Sequence, residues 1–167
     1  PELMGVGLGL DKHFEAIAKE TYKTVVCVSA HFRNGDIGEA EVRQQRSNWI
    51  RDPINITDYP GFEKRGLGSG VVVSSPGEIL TCRHFLLDKD GKMADIVSVE
   101  TPDQRHTICD VIAMEPTLDL ALIKMRVYSK NDPPSFMVAT FGDSATAKAG
   151  HLVFGVGDPD GPEQFFG

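Results

Sequence analysis

The 167-residue sequence predicts an all-β fold, a β-barrel or a sandwich, on the basis of three observations. Segments rich in β-branched and apolar residues recur at intervals of roughly 8–12 residues. Turn signals separate these segments, as at Ser74–Gly77 and Asp88–Gly91. Beyond the first 22 residues, almost no segment has the periodicity of a helix.

The first predicted element is a short helix. Asp11 can cap it, and Phe14, Ile17 and Ala18 share one face at helical spacing as far as about Tyr22. The other predicted elements are strands, whose β-branched content favours extended backbone. They cover residues 24–30, 71–73, 79–81, 96–99, 108–114, 120–125 and 151–157.

Residues 33–65 interrupt the pattern of strands. This segment is polar, contains Pro53 and Pro60, and shows no sustained period. A loop of this length inside a compact domain either has a function or is mobile. We therefore expect a long variable loop, with part of it ordered through its apolar residues.

The composition excludes several classes of function. With 24 acidic against 17 basic residues the net charge is −7, which argues against a nucleic-acid partner or an anionic membrane surface. No apolar run has the roughly 20 residues that a membrane-spanning segment needs. No secretory signal is visible, and because the chain begins at Pro1 we expect it to be a piece of a longer protein.

The cysteines and histidines do not form a recognisable metal motif. Cys27, Cys82 and Cys109 are odd in number and include no CxxC pair, so we interpret them as small buried residues on strands. The histidines are single and follow no HxxxH or HExxH spacing. The sequence therefore predicts no metal site and no cofactor.

A histidine and an aspartate lie at the ends of predicted strands, and this position alone does not make either of them catalytic. His84 follows the strand at 79–81, and Asp119 precedes the strand at 120–125. Hydrolysis by a serine needs an imidazole that accepts the hydroxyl proton and a carboxylate that fixes the imidazole tautomer. A single histidine at a strand end is nevertheless more often structural, so residue type alone is a weak signal.

The segments around these residues resemble the HtrA (DegP) type of trypsin-like serine protease. GSGVVVSSPGEILTCRH at 68–84 is similar to a family stretch with GSGVI, a turn and a strand ending in T-x-x-H. LDLALIK at 118–124 is similar to the family's DLALLK strand. Residues 141–153 and 155–161 resemble its LGDS…VGD segment and its GNPFG-like turn. The motifs span about residues 67–167, whereas residues 1–66 match only in outline, as a helix, a first strand and a variable loop.

The resemblance implies a trypsin-like antiparallel barrel, the first of two, with a short N-terminal helix. It implies that His84 is the catalytic base and that Asp119 orients it. Family members act as endopeptidases on unfolded or misfolded polypeptides, are usually extracytoplasmic, and assemble as homo-oligomers, typically trimers. We expect the same of this protein, with no nucleic-acid partner and no membrane-spanning segment.

The nucleophile is the part of the family pattern that these residues lack. No GNSGG-type motif occurs in the 167 residues, so we expect this chain by itself to be inactive. Ser144 belongs to a GDS motif, but Ala145 and Thr146 follow it and it lies only 25 residues after Asp119. We therefore interpret Ser144 as a turn residue. Cys82 and Arg83, which precede the histidine, and Phe85, which follows it, also depart from the residues that are usual in the family.

Two other interpretations remain open. A catalytically inactive pseudoprotease could serve as a binding or scaffolding module, and the unusual Cys82–Arg83 pair favours this mildly. The retention of both His84 and Asp119 argues mildly against it. An unrelated β-barrel that matches by accident is the third interpretation.

Overall fold

The computed structural model describes residues 2–51, 59–75, 77–126 and 135–157, with side chains from residue 11 onward except at 49–51. Within these residues six strands form a closed antiparallel barrel in the order β1-β2-β3-β6-β5-β4. The strands are β1 (Val25–Arg33), β2 (Phe62–Ser74), β3 (Glu78–Cys82), β4 (Ile96–Glu100), β5 (His106–Glu115) and β6 (Leu120–Met125). Helix α1 (Glu2–Tyr22) precedes the barrel, and α2 (Glu39–Arg51) lies between β1 and β2. The prediction of a β-barrel preceded by a helix is confirmed.

The barrel interior is filled by aliphatic side chains from alternating strand positions. On β1 these are Val26, Val28, Ala30 and Phe32, each at most 3% exposed. The outward-facing positions of β1 are buried as well. A second apolar cluster consists of Tyr59, Ile96, Ile108 and Phe62, and its Tyr59 packs against His31 of β1. Burial on both faces explains why the sequence of β1 is an almost continuous apolar run.

Helix α1 begins at Glu2 rather than at the predicted Asp11. The prediction of its start is wrong, because three glycines between residues 5 and 9 do not prevent the helix from beginning nine residues earlier. Each glycine costs a helix only about 1 kcal/mol relative to alanine, and leucine and methionine favour the helix. Neither helix of the described residues has the length and apolar character that crossing a membrane requires.

The predicted long loop at 33–65 contains regular structure. Its polar composition was interpreted as a loop, but Glu39–Arg51 is rich in good helix formers, with Glu39 and Glu41 in the positively polarised first turn. Residues 62–65 belong to β2 and pair with β1. Residues 52–58 of the predicted loop, including Pro53, lie outside the described residues. β2 continues across residue 66, so the junction between residues 66 and 67 lies inside one strand.

The predicted strand at 151–157 is absent from the structure. Residues 151–157 have no regular secondary structure, and no strand of the described part of the chain pairs with them. Leu152, Val153 and Phe154 are 75%, 82% and 55% exposed, and Phe141 is 70% exposed. Extended structure needs a hydrogen-bonding neighbour, and the six strands of the barrel already satisfy one another around its closed circumference.

Candidate functional site

The two candidate catalytic residues lie at the same end of two neighbouring strands. His84 is in a 3-10 turn (Arg83–Leu86) that follows β3 directly, and Asp119 comes immediately before β6. β3 pairs with β6, with Cys82 opposite Leu120. The sheet therefore brings together two residues that are separated by 35 positions in the sequence.

Three hydrogen bonds join Asp119 to the turn that carries His84. The imidazole Nδ1 of His84 is bonded to Oδ2 of Asp119, the ring donating from Nδ1–H to an ionised carboxylate. The backbone N–H of His84 donates to Oδ1 of the same carboxylate at 2.9 Å. The backbone N–H of Arg83 donates to the carbonyl oxygen of Asp119, also at 2.9 Å. Both carboxylate oxygens are engaged, which fixes the imidazole tautomer with Nε2 free to accept a proton.

Asp119 has an unusual backbone conformation and a shifted acidity. Its φ angle is 54°, in the left-handed region that few residues other than glycine, asparagine and aspartate adopt. The hydrogen bond from the His84 imidazole lowers the pKa of Asp119 below its usual value, and burial opposes this only partly. The carboxylate is therefore ionised at neutral pH, as its role as an acceptor requires.

The histidine–aspartate pair is open to solvent in this chain. The side chain of His84 is 59% exposed and that of Asp119 is 45% exposed. Water competes for hydrogen bonds and screens charge at such a site. The geometry of the pair is consequently held by the backbone hydrogen bonds rather than by burial.

Phe85 anchors the turn that carries His84. Gly66 and Gly68 lie two residues apart on β2, so that both face Phe85. A Cβ atom on Gly68 would lie 2.2 Å from the Phe85 ring, and one on Gly66 would lie 2.1 Å from the Phe85 carbonyl oxygen. Only glycine permits this close approach. The glycine-rich motif before His84 thus contributes to its placement, which linear spacing alone did not indicate.

We expect Gly66→Ala to destabilise the barrel by about 1–3 kcal/mol, since the added methyl group forces the Phe85 backbone to move. Urea denaturation of the 167-residue chain measures this loss. Gly142→Ala is a matched control, because no atom lies within 4 Å of the position its Cβ would take. Equal unfolding midpoints for the two variants would show that the close approach to Phe85 has no energetic consequence.

Ser144 lies in a 3-10 turn, Ser144–Thr146, as predicted for a turn residue. Asp143 caps this turn by accepting a hydrogen bond from the backbone N–H of Ala145 at 3.0 Å. The GDS motif is therefore accounted for by local structure, as an aspartate-capped turn.

The three cysteines are free thiols on strands, and only Cys27 and Cys109 are buried. Cys82 is half-buried and lies beside the histidine–aspartate pair. Sulfur, nitrogen and oxygen atoms of Cys82, His84 and Asp119 lie within 4.8 Å of one another. Linear motifs did not reveal this group, because Asp119 joins it only through the pairing of β3 with β6.

The family model for the trypsin-like peptidase domain matches residues 68–166. Curated relatives carry the name "Probable periplasmic serine endoprotease DegP-like". The protein from Marinomonas sp. (strain MWYL1) is 33% identical over 99 residues, which is 59% of this chain and 19% of that protein. The one from Pseudomonas putida (strain GB-1) is 34% identical over 99 residues, 59% of this chain and 18% of that protein. The one from Brucella suis biovar 1 (strain 1330) is 30% identical over 127 residues, 75% of this chain and 23% of that protein.

The matched region thus covers about a fifth of the length of these relatives. The family match at residues 68–166 includes β3, the His84 turn, β6 and Asp119. The family match extends over more than half of the chain, and the six-stranded antiparallel barrel agrees with it. The chain belongs to the trypsin-like peptidase family, in which it is similar to proteases of the HtrA (DegP) type.

Proposed function

We propose that the protein is a serine endopeptidase in which His84 acts as general base and Asp119 orients it. The observation that carries the proposal is the double engagement of Asp119, which binds the imidazole Nδ1 through one oxygen and the His84 backbone amide through the other. A histidine with only a structural role does not require one carboxylate to bind both its ring and its backbone amide. The family match supports the same assignment.

The hydrogen bonds of the pair give His84 and Asp119 different roles in the proposed reaction. With its Nδ1–H donated to Asp119, His84 keeps a lone pair on Nε2. Nε2 can then accept the proton of a serine hydroxyl as the oxygen attacks a peptide carbonyl, and later protonate the departing amine. The ionised Asp119 stabilises the imidazolium that forms between these two steps.

We propose that the nucleophile comes from a serine outside these 167 residues, on a second barrel for which this barrel is the first. The 167 residues contain no GNSGG-type motif, and Ser144 already has a structural role in a capped turn. Leu152 and Val153, which are adjacent in the chain and 75% and 82% exposed, support a further packed unit, since apolar side chains this exposed often mark an interface when they are contiguous.

The substrates, the location and the assembly are also proposals. The relatives are named periplasmic endoproteases, which favours an extracytoplasmic protein that acts on polypeptides. By resemblance to the HtrA type, we expect unfolded or misfolded chains as substrates and a trimeric assembly. Light scattering on the purified protein measures its oligomeric state.

Hydrolysis of an unfolded protein tests the proposal. The protein encoded by the complete reading frame should cleave casein but leave a stably folded protein intact, and His84→Ala should abolish the cleavage. His151→Ala is the control, because His151 is exposed and lies outside the pair. Casein binding without cleavage by the unmodified protein would instead favour the scaffolding module.

A further inference from the structure

A third metal-ligating side chain accompanies the histidine–aspartate pair. The Sγ atom of Cys82, a ring nitrogen of His84 and a carboxylate oxygen of Asp119 all lie within 4.8 Å of one another. These three side chains are called the Cys–His–Asp cluster below. Cys82 takes no part in the proton transfer proposed for His84 and Asp119, although it lies beside them.

The backbone holds the three side chains of the cluster in place. Cys82 is the last residue of β3 and pairs with Leu120 of β6. The next two residues of the chain, Arg83 and His84, donate their backbone N–H groups to Asp119. The cluster therefore rests on strand pairing and adjacent hydrogen bonds, so its donor atoms need only side-chain adjustments to converge on one point.

The donor set suits zinc. Thiolate, imidazole and carboxylate are the three side-chain ligands of Zn²⁺, whereas Mg²⁺ and Ca²⁺ take oxygen ligands. Tetrahedral zinc with ordinary bond lengths places neighbouring ligand atoms about 3.3–3.6 Å apart. The ligand atoms of the cluster lie within 4.8 Å of one another, and side-chain rotations can bring the more distant ones to this spacing. Nδ1 of His84 and Oδ2 of Asp119, which share a hydrogen bond, must move apart to admit the metal.

The surroundings of Asp119 and His84 also fit a metal ligand set. Oδ1 of Asp119 accepts the backbone N–H of His84, whereas Oδ2, which is bonded to Nδ1 of His84, can bind a cation once the proton leaves Nδ1. Such hydrogen bonds orient carboxylate ligands in metal sites. Because His84 is 59% exposed, a fourth position on the metal stays open to water. A thiolate and a carboxylate together carry the two negative charges that Zn²⁺ balances.

We propose that the Cys–His–Asp cluster binds one Zn²⁺ ion, in competition with the proton that Nδ1 of His84 shares with Asp119. On binding, the thiol of Cys82 loses its proton to solvent. The imidazole proton moves from Nδ1 to Nε2, so the histidine stays neutral while Nδ1 binds the metal. Zinc therefore leaves Nε2 protonated and unable to accept a proton from a hydroxyl group.

The regulatory consequence rests on the proposed function. If His84 is the general base of an endopeptidase, Zn²⁺ inhibits the enzyme by occupying the Nδ1 side of the base and reversing its tautomer. Binding itself does not depend on catalysis, because all three ligands belong to the 167-residue chain. The two claims can therefore be tested separately.

Metal binding is measured first, on the 167-residue chain in a buffer without chelators. Native mass spectrometry should show one Zn²⁺ per chain, and Co²⁺ should give a sulfur-to-cobalt charge-transfer band. Cys82→Ser should remove that band, and both Cys82→Ser and His84→Ala should weaken zinc binding by about tenfold or more. His151→Ala is the control for a solvent-exposed histidine outside the cluster. A cobalt–sulfur band that persists in Cys82→Ser, or zinc affinity that is unchanged in His84→Ala, would overturn the proposal.

Inhibition is measured second, on the protein encoded by the complete reading frame, as the ratio of activity with zinc to activity without metal. The concentration of Zn²⁺ that halves this ratio should rise about tenfold or more in Cys82→Ser. Equal zinc sensitivity of the two proteins would overturn the zinc site as the cause of inhibition. Zinc bound at the cluster with full activity would instead overturn His84 as the general base and leave the metal site intact.

Discussion

Asp119→Asn is expected to lower kcat by about 10,000-fold in the protein encoded by the complete reading frame. The asparagine amide can present an N–H where the carboxylate presented an oxygen, so the imidazole no longer donates from Nδ1. His84 then carries its proton on Nε2, where it cannot act as a base. KM should change little, because the substituted atom contacts the base and not the substrate.

Further variants set the largest and the smallest loss of kcat with which Asp119→Asn is compared. His84→Ala should cost at least as much as Asp119→Asn, and the double variant should cost no more than His84→Ala alone, because the two residues act as a unit. Asp143→Asn removes a carboxylate that only caps an exposed turn, so kcat should stay within about twofold of the unmodified value. A fall in kcat of less than about tenfold for Asp119→Asn would contradict the role given to its carboxylate.

The unfolding free energy is expected to fall by about 2 kcal/mol between pH 7 and pH 5 because of His31. His31 is only 4% exposed, and its Nε2 lies 3.0 Å from Oγ of Ser98. The ring meets the Tyr59 ring edge-on at 4.3 Å between centroids. Burial, with a smaller contribution from the charge of Lys64, lowers the pKa of His31 from 6.5 to about 4.

The direction of the effect follows from proton binding. Between pH 6.5 and about 4 the unfolded chain protonates His31 and the folded chain does not, so acid favours unfolding in this window. The stabilisation is complete above pH 6.5 and is lost as the pH falls toward 4.

The cavity beside the His31 ring has a volume of about 130 Å³. It is lined by Ser29, His31, Tyr59, Lys64, Ser98, Glu100 and His106.

Urea denaturation at pH 7, 6 and 5 measures the effect on the 167-residue chain. His31→Gln retains a hydrogen-bonding group for Ser98 but cannot titrate, so its stability should be nearly constant over this range. His151→Gln is the matched control, because His151 is exposed, and its stability should fall as in the unmodified chain. A pH dependence in His31→Gln equal to that of the unmodified chain would show that another group is responsible.

The strands from Val71 onward could be predicted because their pattern is local. Val71–Val73, Ile79–Thr81 and Leu120–Met125 are short β-branched or aliphatic runs bounded by turn residues, and each lies within an observed strand. The first residues of β2 could not be predicted in this way. After Phe62, the side chains of Glu63, Lys64 and Arg65 are exposed and charged, and this part of the strand is extended because it pairs with β1.

At residues 151–157 the sequence predicts a strand that the structure does not contain. Leu152, Val153 and Phe154 have high intrinsic preference for strands, but in the structure they are exposed and unpaired with any described strand. Strand formation depends on a partner as much as on propensity. A sequence pattern reports only the propensity.

The candidate site was predictable only in part. His84 and Asp119 were identified through the resemblance of their flanking motifs, and the structure places them in hydrogen-bonding contact. Their catalytic roles remain proposals. The contribution of Cys82 and the packing of Phe85 against Gly66 and Gly68 depend on side chains that meet across strands, for which linear spacing carries no signal.

Covalent labelling tests the central claim, that His84 activates a serine for attack, most directly. The protein encoded by the complete reading frame is treated with a fluorophosphonate, and the modified residue is located by mass spectrometry. If His84 activates the nucleophile, one serine outside residues 1–167 is modified stoichiometrically, at a rate that falls at least about 100-fold in His84→Ala. No modified serine, or equal labelling rates with and without His84, would contradict this claim.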